Sequence, residues 1–287
     1  MAGQASRMFL LQYGAERVPR SLSLRDGPAD LGWEPLYGVL VDTGDGWVLF
    51  DTGMGREALD ADETQDSYRA AAVDAGADPD RPTWSLHPAP PDPTRWNWGL
   101  AGDPLVEALA TVGLAVGDLR LAVISHLHLD HSGGIPLLAE AGVPVAIHRA
   151  ELAFARSGRA TFEEGFRAPD WSDPRTRWEV LDGDAEVAPG VTVVSTPGHT
   201  PGHVSLRVEL PQTGTWIFAA DAADLGQNLL DRVPCGYCAG GAVEDEAAAS
   251  SSLERLLADA ADADARLIPG HDQLVFNAVR HPPSGHR

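Results

Sequence analysis

Apolar and polar positions change period along this chain, and each change predicts an element. The runs "LYGVLV" (36–41) and "WVLF" (47–50) flank the polar, glycine-bearing stretch "DTGDG". They predict a β-hairpin. Residues 103–112 combine a capping aspartate, proline at the first helical position and helically spaced apolar residues, so they predict a helix. A buried strand is expected at 121–124, a second near 143–147, and a helix near 149–155. Strands are expected at 191–195, 204–208 and 215–219, an amphipathic helix over 245–258, and a last strand at 266–268. Strands interleaved with helices, with polar clusters at strand ends, indicate a layered α/β protein. No repeat and no linker divides the chain, which reads as one domain over 1–287. The proline-rich stretch 89–94 reads as a surface loop and the tail 281–287 as disordered.

Charge narrows the possible partners. The 42 acidic residues outnumber 21 basic ones, for a net charge of −21. Such a surface repels phosphate backbones and anionic membranes, so neither nucleic acid nor a membrane is expected as a partner. All 21 basic residues are arginine. Schiff-base chemistry and a P-loop, both of which need lysine, are thereby excluded. Only four apolar residues, Met8 to Leu11, follow Arg7, and no run is long enough to cross a bilayer, so a cytoplasmic protein is expected. Cys235 and Cys238 in "CGYC" lack a second pair for a zinc ribbon and read as ordinary loop residues.

The densest chemistry lies in "SHLHLDHSGG", directly after the predicted strand at 121–124. Three histidines and an aspartate occupy six positions. Histidines one residue apart at a strand end can face one metal, so His126 and His128 suit a shared ion. Asp130 and His131, one turn later, suit a second. Two metals need about seven or eight protein ligations, and a single ion would leave donors over. Further candidates follow other apolar strands: His199 in "TPGHTPGH", Asp221 in "FAADAADL" and His271 in "IPGHD". A Pro-Gly pair before His199 and before His271 redirects the chain toward the sheet edge. His203 begins the next strand and is expected to pack behind the site. His87 and His148 read as structural, and His281 and His286 belong to the tail.

Together with Asp51 in "LFDTG", these motifs resemble the metallo-β-lactamase superfamily in its dinuclear branch. Within it, "LFDTGMG", "SHLHLDHSGG" and "TPGHTPGHVSL" most resemble the N-acyl homoserine lactonases, which quench quorum-sensing signals. The resemblance implies a four-layer αβ/βα sandwich with two divalent metal ions, zinc by expectation, at one edge. It implies that His126, His128 and His199 bind the first metal, that Asp130, His131 and His271 bind the second, and that Asp221 bridges them. Asp51 is implied behind the ligands as an orienting carboxylate. The implied reaction is hydrolysis of a small lactone or related ester by a hydroxide held between the metals, with Asp130 moving the proton to the leaving oxygen.

Other branches fit less well. A glyoxalase II-type thioesterase would need clustered arginines for glutathione, and an RNA-processing enzyme would need a basic surface. A mononuclear iron persulfide dioxygenase shares the histidine pattern, and a metal-free binding module would be expected to have lost ligands. One position departs from the lactonase pattern. Where those enzymes carry a tyrosine three residues after the bridging aspartate, this chain has Asp224, which cannot donate to an oxyanion. Asp224 is therefore expected to turn away or to accept a hydrogen bond from substrate, with Tyr237 supplying a hydroxyl. The aromatics Trp84, Trp96, Trp98, Phe162, Phe166, Trp171 and Trp178 either wall an acyl-chain site or pin loops to the core.

Overall fold

The computed structural model describes residues 3–81, 83, 92, 94–239 and 243–287. Twelve strands form two sheets among these residues. The first sheet contains β1 (Arg7–Pro19), β2 (Leu31–Asp42), β3 (Trp47–Phe50), β4 (Asn97–Gly99), β5 (Leu119–Val123), β6 (Pro144–His148) and β7 (Arg177–Leu181). Its order is β4-β1-β2-β3-β5-β6-β7. The second contains β8 (Ala185–Ala188), β9 (Val191–Ser195), β10 (Val204–Leu210), β11 (Gly214–Phe218) and β12 (Arg266–Ile268), in the order β12-β11-β10-β9-β8.

Strand alternation explains why the two sheets stack. Val39, Val41, Val48, Phe50, Leu121 and Val123 point into one apolar cluster with Val193, Leu206 and Phe218 of the second sheet. The intervening Leu40, Leu49 and Ala122 point the other way, beneath the helices Pro104–Ala110, Ile135–Ala141 and Arg149–Ala155. Covering both faces makes these strands continuous apolar runs. The outer face of the second sheet buries Val194 and Ile217 against Leu253 and Leu256 of the helix Val243–Asp262. The result is the expected four-layer αβ/βα sandwich.

The hairpin pairs β2 with β3 in antiparallel register from Val39↔Phe50 to Asp42↔Trp47. Asp103 caps the helix Pro104–Ala110 by accepting from the Leu105 N–H at 3.1 Å. One strand is not predicted, one expectation needs correction and one open choice is decided. The long strand β1 is invisible in the pattern, because Gly14, Glu16 and Arg17 interrupt its alternation. The tail is not free: the His286 and Met8 backbones exchange two hydrogen bonds of 2.8 Å, and the His286 ring packs on Trp216. Of the two roles left open for the aromatics, Trp96, Phe162, Phe166, Trp171 and Trp178 take the packing one. Phe166 is buried against His128, Trp96 lies under Arg17, and Trp171 and Trp178 pack on the first-sheet cluster. Trp84, His87 and most of 89–94 lie outside the described residues.

Candidate metal centre

All the candidate ligands stand where chains leave strands at one edge of the stacked sheets. Asp51 follows β3, His126 and His128 follow β5, His199 follows β9, Asp221 follows β11 and His271 follows β12. Two turns are held by glycines. Gly198, at φ +143°, sits so close to the helix Val243–Asp262 that a Cβ would meet the Ala249 backbone at 2.3 Å, and this approach aims His199 inward. Gly133 lies against Gly55, where a Cβ would meet the backbone nitrogen at 2.0 Å. That contact locks "HSGG" to "DTGMG", supported by Thr52 Oγ1 donating to the His131 carbonyl at 2.7 Å.

The donors form two groups. In the first, His128 Nδ1 lies 3.0 Å from both His126 Nε2 and His199 Nε2, and Asp221 Oδ2 lies 3.2 Å from His199 Nε2. In the second, His131 Nε2 lies 2.9 Å from Asp130 Oδ2, 3.1 Å from Asp221 Oδ1 and 3.3 Å from His271 Nε2. Asp221 thus presents one oxygen to each group. Each group brings four donor atoms within 4.8 Å of one another.

The opposite ring nitrogens decide which atoms face inward. His131 Nδ1 donates to Asp51 Oδ2 at 2.9 Å, His199 Nδ1 to the Tyr237 carbonyl at 3.0 Å and His271 Nδ1 to the Pro35 carbonyl at 3.1 Å. In the neutral ring each bond puts the proton on Nδ1, so that Nε2 is the nitrogen turned to the centre with a lone pair to give. Crowded lone pairs, with Asp221 between them, are a donor set that a divalent cation satisfies and that hydrogen bonding alone does not. The mixed imidazole and carboxylate chemistry fits two such ions.

Protonation follows the same split. Burial, with His131 and its other imidazole neighbours, holds His126 well below the ordinary histidine range, and burial with His199 brings His128 down to about 3. Burial also opposes charge on His131 and His271, but Asp221 and Asp130 around both, with Asp51 beside His131, outweigh it and push both up. Burial opposes ionisation of Asp221 too, yet the surrounding imidazoles hold it well below the carboxylate range.

A family model described as the metallo-beta-lactamase superfamily matches residues 31–271. The chain belongs to this superfamily. An N-acyl homoserine lactonase from a Bacillus species is 30% identical over 230 residues, spanning 80% of this chain and 78% of its own length. The N-acyl homoserine lactonase AttM of Rhizobium radiobacter is 29% identical over 62% of this chain and 67% of its own. Among solved structures, an N-acyl homoserine lactone hydrolase with the product N-hexanoyl-L-homoserine bound at its catalytic metal center gives a TM-score of 0.73. It is 26% identical and covers 96% of this chain and 97% of that one.

Around this metallo-β-lactamase centre the structure adds supports that motif reading did not find. Glu151 accepts from the Leu127 N–H at 2.9 Å and the Gly202 N–H at 3.1 Å, clasping the two histidine loops together. His203 lies behind the ligands, where its Nε2 accepts from the Asp221 N–H at 3.1 Å and its Nδ1 meets the Thr196 carbonyl at 3.1 Å. His148 is structural, capping the helix Arg149–Ala155 with its Nδ1 accepting from the Ala150 N–H.

The centre opens into a cavity of about 230 Å³. Asp130, the least buried of the seven donors, stands on its wall with Asp224 and Tyr237. The Tyr237 hydroxyl donates to the Glu164 carboxylate. Asp224 does not turn away to solvent: it is 4% exposed, and its Oδ1 is buried with no hydrogen-bond partner. Glu16 and Glu34 also line the cavity, and burial pushes Glu16 up to about 8 and Glu34 to about 7. Sequence reading passed over both because neither stands among other ligand-type residues in its strand. Cys235 and Cys238 are buried free thiols beside Tyr237 and belong to neither donor group. Among the described residues no helix is long and apolar enough to cross a membrane.

Proposed function

We propose that this protein is a dinuclear zinc hydrolase that opens a lactone or cleaves a related ester, acting as one domain in the cytoplasm. The observation that carries the reading is Asp221, whose two oxygens are divided between two complete donor groups. A mononuclear iron site would leave the second group without purpose, which disfavours the persulfide dioxygenase alternative. Among the described residues no arginine lines the cavity to hold glutathione carboxylates, which disfavours a glyoxalase II-type thioesterase. The names of the relatives support a lactone as the substrate class.

His126, His128 and His199 would hold one ion, and Asp130, His131 and His271 the other, with Asp221 between them. Two divalent ions, when bound, lower the pKa of water toward neutrality and polarise an ester carbonyl. The chain's own residues do the rest. Asp51 and the Pro35 and Tyr237 carbonyls fix the imidazoles in their tautomers, so little reorganisation is needed during reaction. Asp130, on the cavity wall, takes up the proton released on attack and returns it to the departing oxygen. Leu129 and Val18 give that wall an apolar side that limits water.

The test is a hydrolysis panel of acyl homoserine lactones, γ-lactones, aryl esters and glutathione thioesters, with elemental analysis of the same preparation. Two zinc ions per chain and lactone or ester turnover abolished by chelation are expected. One iron per chain with oxygen consumption on persulfides would refute the reading.

A further inference from the structure

Three carboxyl groups, Glu16, Glu34 and Asp224, line the cavity beside the metal donors. Glu16 of β1 and Glu34 of β2 are directly opposite in the antiparallel register. Both are buried, at 7% and 4% exposure. Like charges facing each other across strands destabilise a sheet, and buried ones do so more strongly. A carboxylate oxygen of each lies within 4.8 Å of the other and of a His271 ring nitrogen, so the pair abuts the second donor group. Their hydrogen-bond partners are neutral: Tyr68 donates to Glu16, and the single Ser23 hydroxyl lies 2.8 Å from both Glu34 oxygens. Among the described residues no arginine forms an ion pair with Glu16, Glu34 or Asp224, and the chain contains no lysine.

Asp224 provides an independent sign of a missing partner. It lines the same cavity, and its buried Oδ1 accepts nothing. An ammonium group offers several N–H donors on one compact charge, which suits the Glu16 and Glu34 oxygens lying within 4.8 Å of each other, with Asp224 farther along the same cavity wall. A neutral amide of the acyl homoserine type offers one. Val18, Pro19 and Leu22 on the cavity wall would pack on the carbon skeleton that carries the charge.

We propose that the substrate carries a positively charged amine close to its scissile ester, and that Glu16, Glu34 and Asp224 form its cradle. The inference rests on the proposed lactone or ester hydrolysis and adds the substrate's charge. Discrimination arises because a charged amine gives these buried carboxyl groups a counter-charge and the unpartnered Asp224 Oδ1 a donor, neither of which a neutral substrate supplies.

The experiment uses the zinc-loaded full chain and a matched pair of γ-butyrolactones, one bearing an aminomethyl group and one a methyl group. The aminomethyl lactone should be preferred by about tenfold or more in kcat/KM, mainly through KM, the scale of one good charge-assisted contact. A second readout is independent of turnover: calorimetric binding of the aminomethyl γ-lactam. Glu16→Gln, Glu34→Gln and Asp224→Asn should each weaken that binding about fivefold or more and move the lactone preference toward one. Three isosteric variants keep the test decisive even where one of them folds poorly. Equal turnover of both lactones with lactam binding indifferent to the variants would overturn the cradle and leave lactone hydrolysis standing. Variant-sensitive lactam binding with no lactone or ester turned over would refute the reaction and keep the cradle. A third zinc per chain, lost in Glu16→Gln, would give the cradle to a metal and overturn the inference.

Discussion

Asp51 and His131 are eighty positions apart in sequence, and their side chains meet at 2.9 Å, with His131 Nδ1 donating to Asp51 Oδ2. The other Asp51 oxygen accepts from the Ser125 N–H at 2.7 Å. One carboxylate therefore sets both the strand exit that carries the histidine motif and the tautomer of a histidine in it. Asp51→Ala should lower zinc affinity about 10- to 100-fold, the usual cost of losing an outer-shell partner. Chelator competition measures it. An unchanged affinity would mean that His131 orients itself.

His128 and His203 both carry buried imidazoles near Asp221, yet they face it differently. His128 turns Nδ1 into the first donor group, whereas His203 accepts from the Asp221 backbone from behind. His128→Ala and Asp221→Ala should each remove most activity along with bound metal. His203→Ala should keep metal and lower the melting temperature, since a buried N–H loses its acceptor at a cost of about 1–3 kcal/mol. Metal loss in His203→Ala as complete as in His128→Ala would exchange their roles.

Tyr237 presents its ring to the cavity while its hydroxyl is committed to Glu164. A hydroxyl so committed is not free to donate to an oxyanion, and Tyr237→Phe should cost less than about tenfold in kcat. A dedicated oxyanion donor is worth about a hundredfold or more when removed. Steady-state kinetics on the best panel substrate separates the two, and a hundredfold loss would make Tyr237 the donor.

Asp170 offers a pH signature away from the metals. Burial raises its carboxyl from the usual 3.8 to about 6, against the opposing pull of Arg167. The folded state binds this proton more tightly than the unfolded chain does. Its contribution to stability is therefore full below pH 3.8 and is lost as pH rises through about 6, by roughly 3 kcal/mol at most. Asp170→Asn should flatten the fall in stability between pH 4 and pH 7.5 relative to the unaltered chain. Parallel denaturation curves for the two proteins at both pH values would count against it.

Much of this protein is legible without coordinates because its signals are local. The hairpin 36–50 follows from apolar runs around a glycine-bearing turn, and Asp103-Pro104 announces its helix in two residues. The seven candidate metal donors stand out because strong ligands crowd a few positions after apolar strands, a pattern that neighbouring residues alone create. The cradle could not be read that way. Glu16 faces Glu34 only because β1 and β2 pair over their whole length, with a register shift between Gln12 and Gly14 that resets which side chains face which. Tertiary packing also took Phe166 into the core, laid Trp178 against it and pinned His286 to Met8. A one-residue slip in register would turn Glu16 to the opposite face of the sheet, so its partner is fixed by the assembled sheet and not by its neighbours in the chain.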